Sequence, residues 1–164
     1  MALFTLVHVV ISLIGIITGL VVLGGLLSGK RLDGWTGLFL LTTIVTNLTG
    51  YGFPVDRVLP SHIVGAISLV ALAIACVAHY RYRLAGGWRK IYVVTAVLSL
   101  YLNVFVLIVQ TFQKVPALRE LAPTQSEPPF GISQLIVLVM FLVLGYRAVV
   151  SFRESPAAPA RQFH

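Results

Sequence analysis

Six polar side chains in otherwise apolar stretches are the candidate binding residues of this sequence. They are His8, Asn47, Tyr51, His62, Gln110 and Gln134. Two histidines at similar depth have the ligand type that holds a haem iron from both faces, and amide, phenol and imidazole groups hydrogen-bond the carbonyls of a quinone. A polar side chain in hydrocarbon is costly without a partner, so we expect all six to face other helices and to mark a site.

The stretches that position these residues have the length of membrane-spanning helices. They cover about residues 3–27, 35–53, 61–80, 91–112 and 130–150. With a rise of about 1.5 Å per residue, about 20 residues cross a hydrocarbon core of about 30 Å. Charged residues make up only 10% of the chain and its mean hydropathy is +0.96, which excludes a soluble globular domain. The sequence therefore predicts an all-α membrane protein with a single five-span bundle over residues 1–153 and a mobile cytoplasmic tail over 154–164.

Basic residues collect in alternate loops of this predicted bundle. Those that follow the first, third and fifth spans are Lys30, Arg31, Arg81, Arg83, Arg89, Lys90, Arg147, Arg153 and Arg161, against Arg57, Lys114 and Arg119 in the other two loops. The positive-inside rule therefore predicts an up-down bundle of five transmembrane helices with the N-terminus outside and the C-terminus in the cytoplasm. Because the net charge of +7 lies beside the spans and not on one basic surface, no nucleic-acid partner is expected.

With this orientation, the six polar residues lie in the outer third of the bundle. The structural interpretation is a hydrogen-bonded plug that fixes the register of the helices. The functional interpretation is an outward-facing polar pocket. In that pocket His8 and His62 either ligate the iron of one haem b or, with the other four residues, bind a quinone or a similar small molecule. Zinc or non-haem iron is disfavoured, because no Asp, Glu or Cys accompanies the histidines at that depth.

Two glycines in the first span form a packing stripe. Gly15 and Gly19 lie on one face, and such small residues let another helix approach closely. The stripe predicts contact with a neighbouring span, with a membrane-protein partner or with a second copy of the chain. The alternative to a binding protein is therefore a non-catalytic accessory or scaffold subunit of a larger membrane complex.

The remaining titratable and nucleophilic residues predict no enzyme class. His79 lies at the inner end of the third span without a histidine partner on that side, and we expect it to extend to the interface beside Tyr80 and Arg81. The single cysteine, Cys76, excludes an internal disulfide. Phosphate-binding loops, nucleophile elbows and His-Glu-x-x-His motifs are absent. Whether the chain is an enzyme stays open.

The longest connection between spans covers residues 113–129 and is expected outside. Pro116 predicts a short helix over 116–121, and the three prolines in 122–129 favour an extended segment after it. A loop of this length is either a lid over the outer face or a long crossing between spans.

Three sequence features carry a resemblance. They are the early His8, the basic turn that ends in Gly34 and Trp35, and the Pro-Ser-His start of a later span at 60–62. Over about residues 5–112 the chain resembles small uncharacterised bacterial multi-spanning inner-membrane proteins. It is also loosely similar to b-type cytochromes built from a few membrane helices, although it lacks the second histidine pair of the two-haem forms. The resemblance implies a multi-pass protein of the bacterial inner (plasma) membrane, a redox-related role in electron transfer and at most one haem b.

Overall fold

The helices of the chain follow the predicted apolar segments closely. A computed structural model describes residues 2–53 and 60–153, and within these ranges all regular structure is helical. The helices are α1 (Ala2–Leu27), α2 (Asp33–Gly50), α3 (Pro60–Cys76), α4 (Trp88–Lys114), α5 (Pro116–Leu121) and α6 (Pro128–Ser151), and a π-helical turn, Val77–Arg81, extends α3. The all-α class and the short helix at 116–121 are confirmed. The predicted tail at 154–164 lies outside the described residues.

Four of the helices are long and apolar enough to cross a membrane. They cover Ala2–Leu27, Ser61–Arg81, Trp88–Lys114 and Pro128–Ser151. The second predicted span corresponds to α2, an 18-residue helix that is not one of these four. Five threonines, Asn47 and Asp33 dilute the apolar content of α2.

The end of α1 is fixed by a glycine. Gly29 has a φ of +66°, in the left-handed region that glycine adopts without strain. The N–H of Lys30 donates to the carbonyl of Gly25 at 2.8 Å, and the N–H of Gly29 donates to that of Leu26 at 3.1 Å. These two bonds form a Schellman motif, so the chain turns sharply into α2.

Helices α1 to α4 form a ring, and α6 packs outside it. Both α1 and α3 pack on α2 and α4, whereas α6 lies against α4 and α1. Long helices that follow one another along the chain run antiparallel, because the start of one contacts the end of the next. His8 bonds Thr49 between α1 and α2, and Phe112 packs on Phe130 between α4 and α6.

The hydrophobic core occupies one half of this ring. It lies towards the end that carries residues 28–32 and 82–87, which we call the basic end because Lys30, Arg31 and Arg83 lie there. Phe39 and Leu100 are each 1% exposed in this core. The opposite half of the ring contains few core residues, and this leaves space for a cleft.

The glycine stripe of α1 contacts helices of the same chain. A Cβ built on Gly19 would lie 2.6 Å from Cδ1 of Leu100 and 2.8 Å from Cε2 of Phe39. At Gly15 it would lie 3.1 Å from Oγ1 of Thr43. The close approach that the stripe predicts is therefore made by α2 and α4 of this chain.

Candidate functional site

A cleft of ≈ 470 Å³ lies inside the ring at the end opposite the basic end. All four ring helices line it. Its polar lining residues are Thr5, His8, Ser12, Thr46, Asn47, Tyr51, Ser61, His62, Asn103, Gln110, Thr111 and Lys114. Apolar side chains such as Leu13, Val64 and Val106 form the walls between them. Among the described lining residues none is acidic, and Lys114 is the only one with a permanent charge.

Five of the six residues selected from the sequence line this cleft. They are His8, Asn47, Tyr51, His62 and Gln110. Gln134 does not line it, because α6 lies outside the ring. Its Nε2 donates instead to the carbonyl of Phe105 at 3.2 Å, and its Oε1 is buried without a hydrogen-bond partner among the described residues.

His8 is held in one tautomer by Thr49. Its Nδ1 lies 2.8 Å from Oγ1 of Thr49, and that hydroxyl donates its own proton to the carbonyl of Val45 at 2.7 Å. When that hydroxyl donates to Val45, the His8 Nδ1 is the donor to Thr49, and a neutral ring then carries its lone pair on Nε2. The edge of Phe53 packs on the same ring, with centroids 5.2 Å apart.

Tyr51 and His62 join α2 to α3 at the mouth of the cleft. The Tyr51 hydroxyl donates to the backbone carbonyl of His62 at 2.6 Å. The two rings stack with centroids 5.3 Å apart and planes 18° apart. The phenol proton is thus engaged within the protein, and Tyr51 positions His62.

Asn47 has a similar joining role one level deeper. Its Nδ2 donates to the carbonyl of Thr43 at 2.8 Å and to Oγ of Ser68 at 3.2 Å. Both amide protons have partners within the protein. Of the residues expected to orient a ligand, Asn47 and Tyr51 therefore use their donors to hold the helices together.

Polar groups not selected from the sequence form the floor of the cleft. Thr46 and Asn103 line it, and Thr43 lies one helical turn deeper than Thr46. Oγ1 of Thr43, Oγ1 of Thr46 and Nδ2 of Asn103 are buried and lack a hydrogen-bond partner among the described residues. Asn103 precedes Gln110 by seven residues and so shares its helix face, a signal that marks it in the sequence.

The loop at 113–129 packs along α4. Nε2 of Gln125 donates to the carbonyl of Val109 at 2.9 Å, and the carboxylate of Glu127 accepts the backbone N–H of Thr124 at 3.2 Å. Within the loop only Lys114 and Val115, at its start, line the cleft. The loop is therefore a side wall of the mouth in this conformation.

A second polar cluster lies at the basic end. The ring of His79 is 4% exposed, and its Nε2 lies 3.5 Å from Oδ1 of Asp33. Beside it, the Tyr92 hydroxyl and the Thr36 hydroxyl are 3.0 Å apart. The expected contact of His79 with Tyr80 is present, with ring centroids 4.7 Å apart, but the expectation that the ring extends to the interface is wrong: the ring is buried, and the exposed carboxylate of Asp33, at the start of α2, pairs with its Nε2.

Neither cluster has the composition of a protein-only metal centre. Within residues 2–53 and 60–153, no group of three or more His, Cys, Asp or Glu side chains is able to hold a metal ion. Comparison of the chain with family models, with curated proteins and with solved structures finds no match. The function therefore has to be inferred from the cleft itself.

Proposed function

We propose that this chain is a five-span membrane protein that binds a lipophilic small molecule of the quinone class in the cleft. The observation that carries the proposal is the cleft itself, in which apolar walls from four helices surround a few convergent hydroxyl, amide and imidazole groups. Small-molecule sites have this composition, and their volumes are about 300–1,000 Å³. A quinone ring suits the apolar walls, and its two carbonyls need hydrogen-bond donors.

The proposal includes α2 as the fifth span. Its 18 residues extend about 27 Å, which is close to the thickness of a hydrocarbon core. It lies antiparallel to α1 and to α3 with its π-helical turn, both of which are long enough to cross, and three of its five threonines, Thr36, Thr43 and Thr46, are buried. The positive-inside rule then places the basic end in the cytoplasm and the cleft on the outer side of a bacterial inner membrane.

Ligand binding is tested with decylubiquinone titrated into the purified chain in lipid nanodiscs. Ser12→Phe puts a ring into the cleft and should weaken binding by at least about tenfold, because the ligand and the ring compete for the same space. The control is Ile17→Phe on the same helix, whose side chain is 60% exposed and does not line the cleft. Equal binding by both variants would show that the quinone only partitions into lipid, and the proposal would fail.

Haem b is the second candidate, and one contact favours it. The bond from His8 to Thr49 fixes the neutral tautomer whose Nε2 lone pair is the type of donor that haem iron takes, and His62 lines the same cleft. The haem propionates fit less well, since Lys114 is the only described cation in the lining. Protein isolated from its native membrane should then show a Soret band that His8→Ala abolishes, and colourless protein without iron would reject haem.

An accessory role in a larger membrane complex is the remaining alternative. Such a partner would need a surface other than Gly15 and Gly19, because both glycines pack against α2 and α4 of the same chain.

A further inference from the structure

We infer that the floor of the cleft, formed by Thr46 and Asn103 with Thr43 one helical turn beneath them, is the subsite that holds a carbonyl oxygen of the ligand. This inference rests on the proposed binding of a quinone-class molecule and specifies where its ring lies. It places the ring deep in the bundle, whereas the sequence predicts a head group held by the histidines of the mouth.

Unpartnered donors at the floor carry the inference. Thr43 is 0% exposed and Thr46 is 7% exposed, yet neither hydroxyl has a hydrogen-bond partner in the part of the chain that the structure describes. The Nδ2 of Asn103 is buried and unpartnered in the same region, since a Cβ on Gly15 would lie 3.4 Å from it and 3.1 Å from Oγ1 of Thr43. Buried polar atoms without partners are rare in native proteins and call for a bound group.

Other threonines of the helices show that a hydroxyl without a hydrogen-bond partner is unusual in this chain. A threonine in a helix commonly donates its hydroxyl proton to the carbonyl four residues earlier. Thr18, Thr42, Thr49, Thr95 and Thr111 all do so, at 2.6–2.8 Å. Thr43 and Thr46 make no such bond, so the hydroxyl of Thr46, which lines the cleft, keeps its proton for an acceptor at the floor.

The amide of Gln110 and the ammonium of Lys114 also line the cleft as donors, but two other groups at the mouth, His8 and Tyr51, are less suited to a carbonyl. A carbonyl oxygen only accepts hydrogen bonds, whereas the proton of His8 goes to Thr49 and leaves an acceptor at Nε2. The Tyr51 proton goes to the His62 carbonyl. The floor offers buried donors about 10 Å deeper than His8 along α1.

The test compares two ligands that differ only in the carbonyls. The purified chain in lipid nanodiscs is titrated with decylubiquinone and with the corresponding decyl-dimethoxytoluene, which lacks both carbonyl oxygens. We expect the wild-type protein to prefer the quinone by about tenfold. Thr46→Val and Asn103→Leu should each reduce this preference to about twofold without changing the affinity for the carbonyl-free compound, because each removes a donor and keeps the side-chain volume.

Control variants test where the quinone ring lies separately from whether the cleft binds a quinone at all. Thr42→Val removes a hydroxyl that already bonds its own helix and should keep the tenfold preference. If Thr46→Val and Asn103→Leu also keep it and His8→Phe removes it, the ring lies at the mouth and the inference is overturned while the proposed function stands. Equal wild-type affinity for both compounds also overturns it. Failure of the wild type to bind either compound defeats the proposed function.

Discussion

Replacing Gly19 with leucine is expected to destabilise the bundle by about 3 kcal/mol or more. Even the first atom of a side chain at this position would lie 2.6 Å from Leu100 and 2.8 Å from Phe39. Both residues are 1% exposed, so they have no free space into which to move. The free energy of unfolding in mixed detergent micelles measures the loss, and we expect a large part of the purified variant to aggregate.

A glycine five positions later provides the control for this prediction. A Cβ on Gly24 would have no atom within 4 Å, so Gly24→Leu should leave the free energy of unfolding within about 0.5 kcal/mol of the wild-type value. Equal stability of the Gly19 and Gly24 variants would contradict the packing of α1 on α2 and α4.

The helices were the most predictable feature, for a simple physical reason. A run of apolar residues long enough to cross a bilayer has to satisfy its backbone polar groups internally, and a helix does so. The structure therefore starts and ends its helices within a few residues of the predicted bounds, as α1 at Ala2–Leu27 and α6 at Pro128–Ser151 show. Composition predicted α2 less well, because its five threonines lower its hydropathy although three of them are buried.

The convergence of polar residues was predictable only in part. Helical period and direction place His8, Asn47 and Gln110 at one level, and the structure brings them to one cleft. Period alone does not show which helix lies outside the ring, so it gave no means of separating Gln134 from the others.

The pattern of polar residues in the sequence does not show which hydrogen bonds those residues make. Asn47 and Tyr51 were selected because they are polar, but their protons are engaged with the chain itself. The buried donors without a partner among the described cleft residues belong to Thr46 and Asn103; the helical period places Asn103 on the face of Gln110, but only the packing shows that its amide has no partner. The prediction that His79 extends to the interface failed for the same reason, because its partner Asp33 lies on a different helix.

Tyr92 should be the strongest single packing residue at the basic end. Its side chain is 1% exposed and lies against the His79 ring, with centroids 5.4 Å apart, while its hydroxyl bonds Thr36. We expect Tyr92→Ala to lower the free energy of unfolding by about 3–5 kcal/mol, because it leaves a cavity in the core. Tyr92→Phe keeps the ring and loses one hydrogen bond, so it should cost only about 1 kcal/mol.

The exposed Tyr146 is the matched control, and the cleft supplies a second measurement. Tyr146 is 73% exposed, so Tyr146→Ala should change the free energy of unfolding by less than about 0.5 kcal/mol. Phe39 and Leu100 lie between Tyr92 and the cleft along α2 and α4, so Tyr92→Phe should leave decylubiquinone affinity unchanged. Similar losses of stability for Tyr92→Ala and Tyr146→Ala would mean that the basic end is loosely packed. A weaker decylubiquinone affinity in Tyr92→Phe would mean that the two ends of the bundle are coupled through the layer of Phe39 and Leu100.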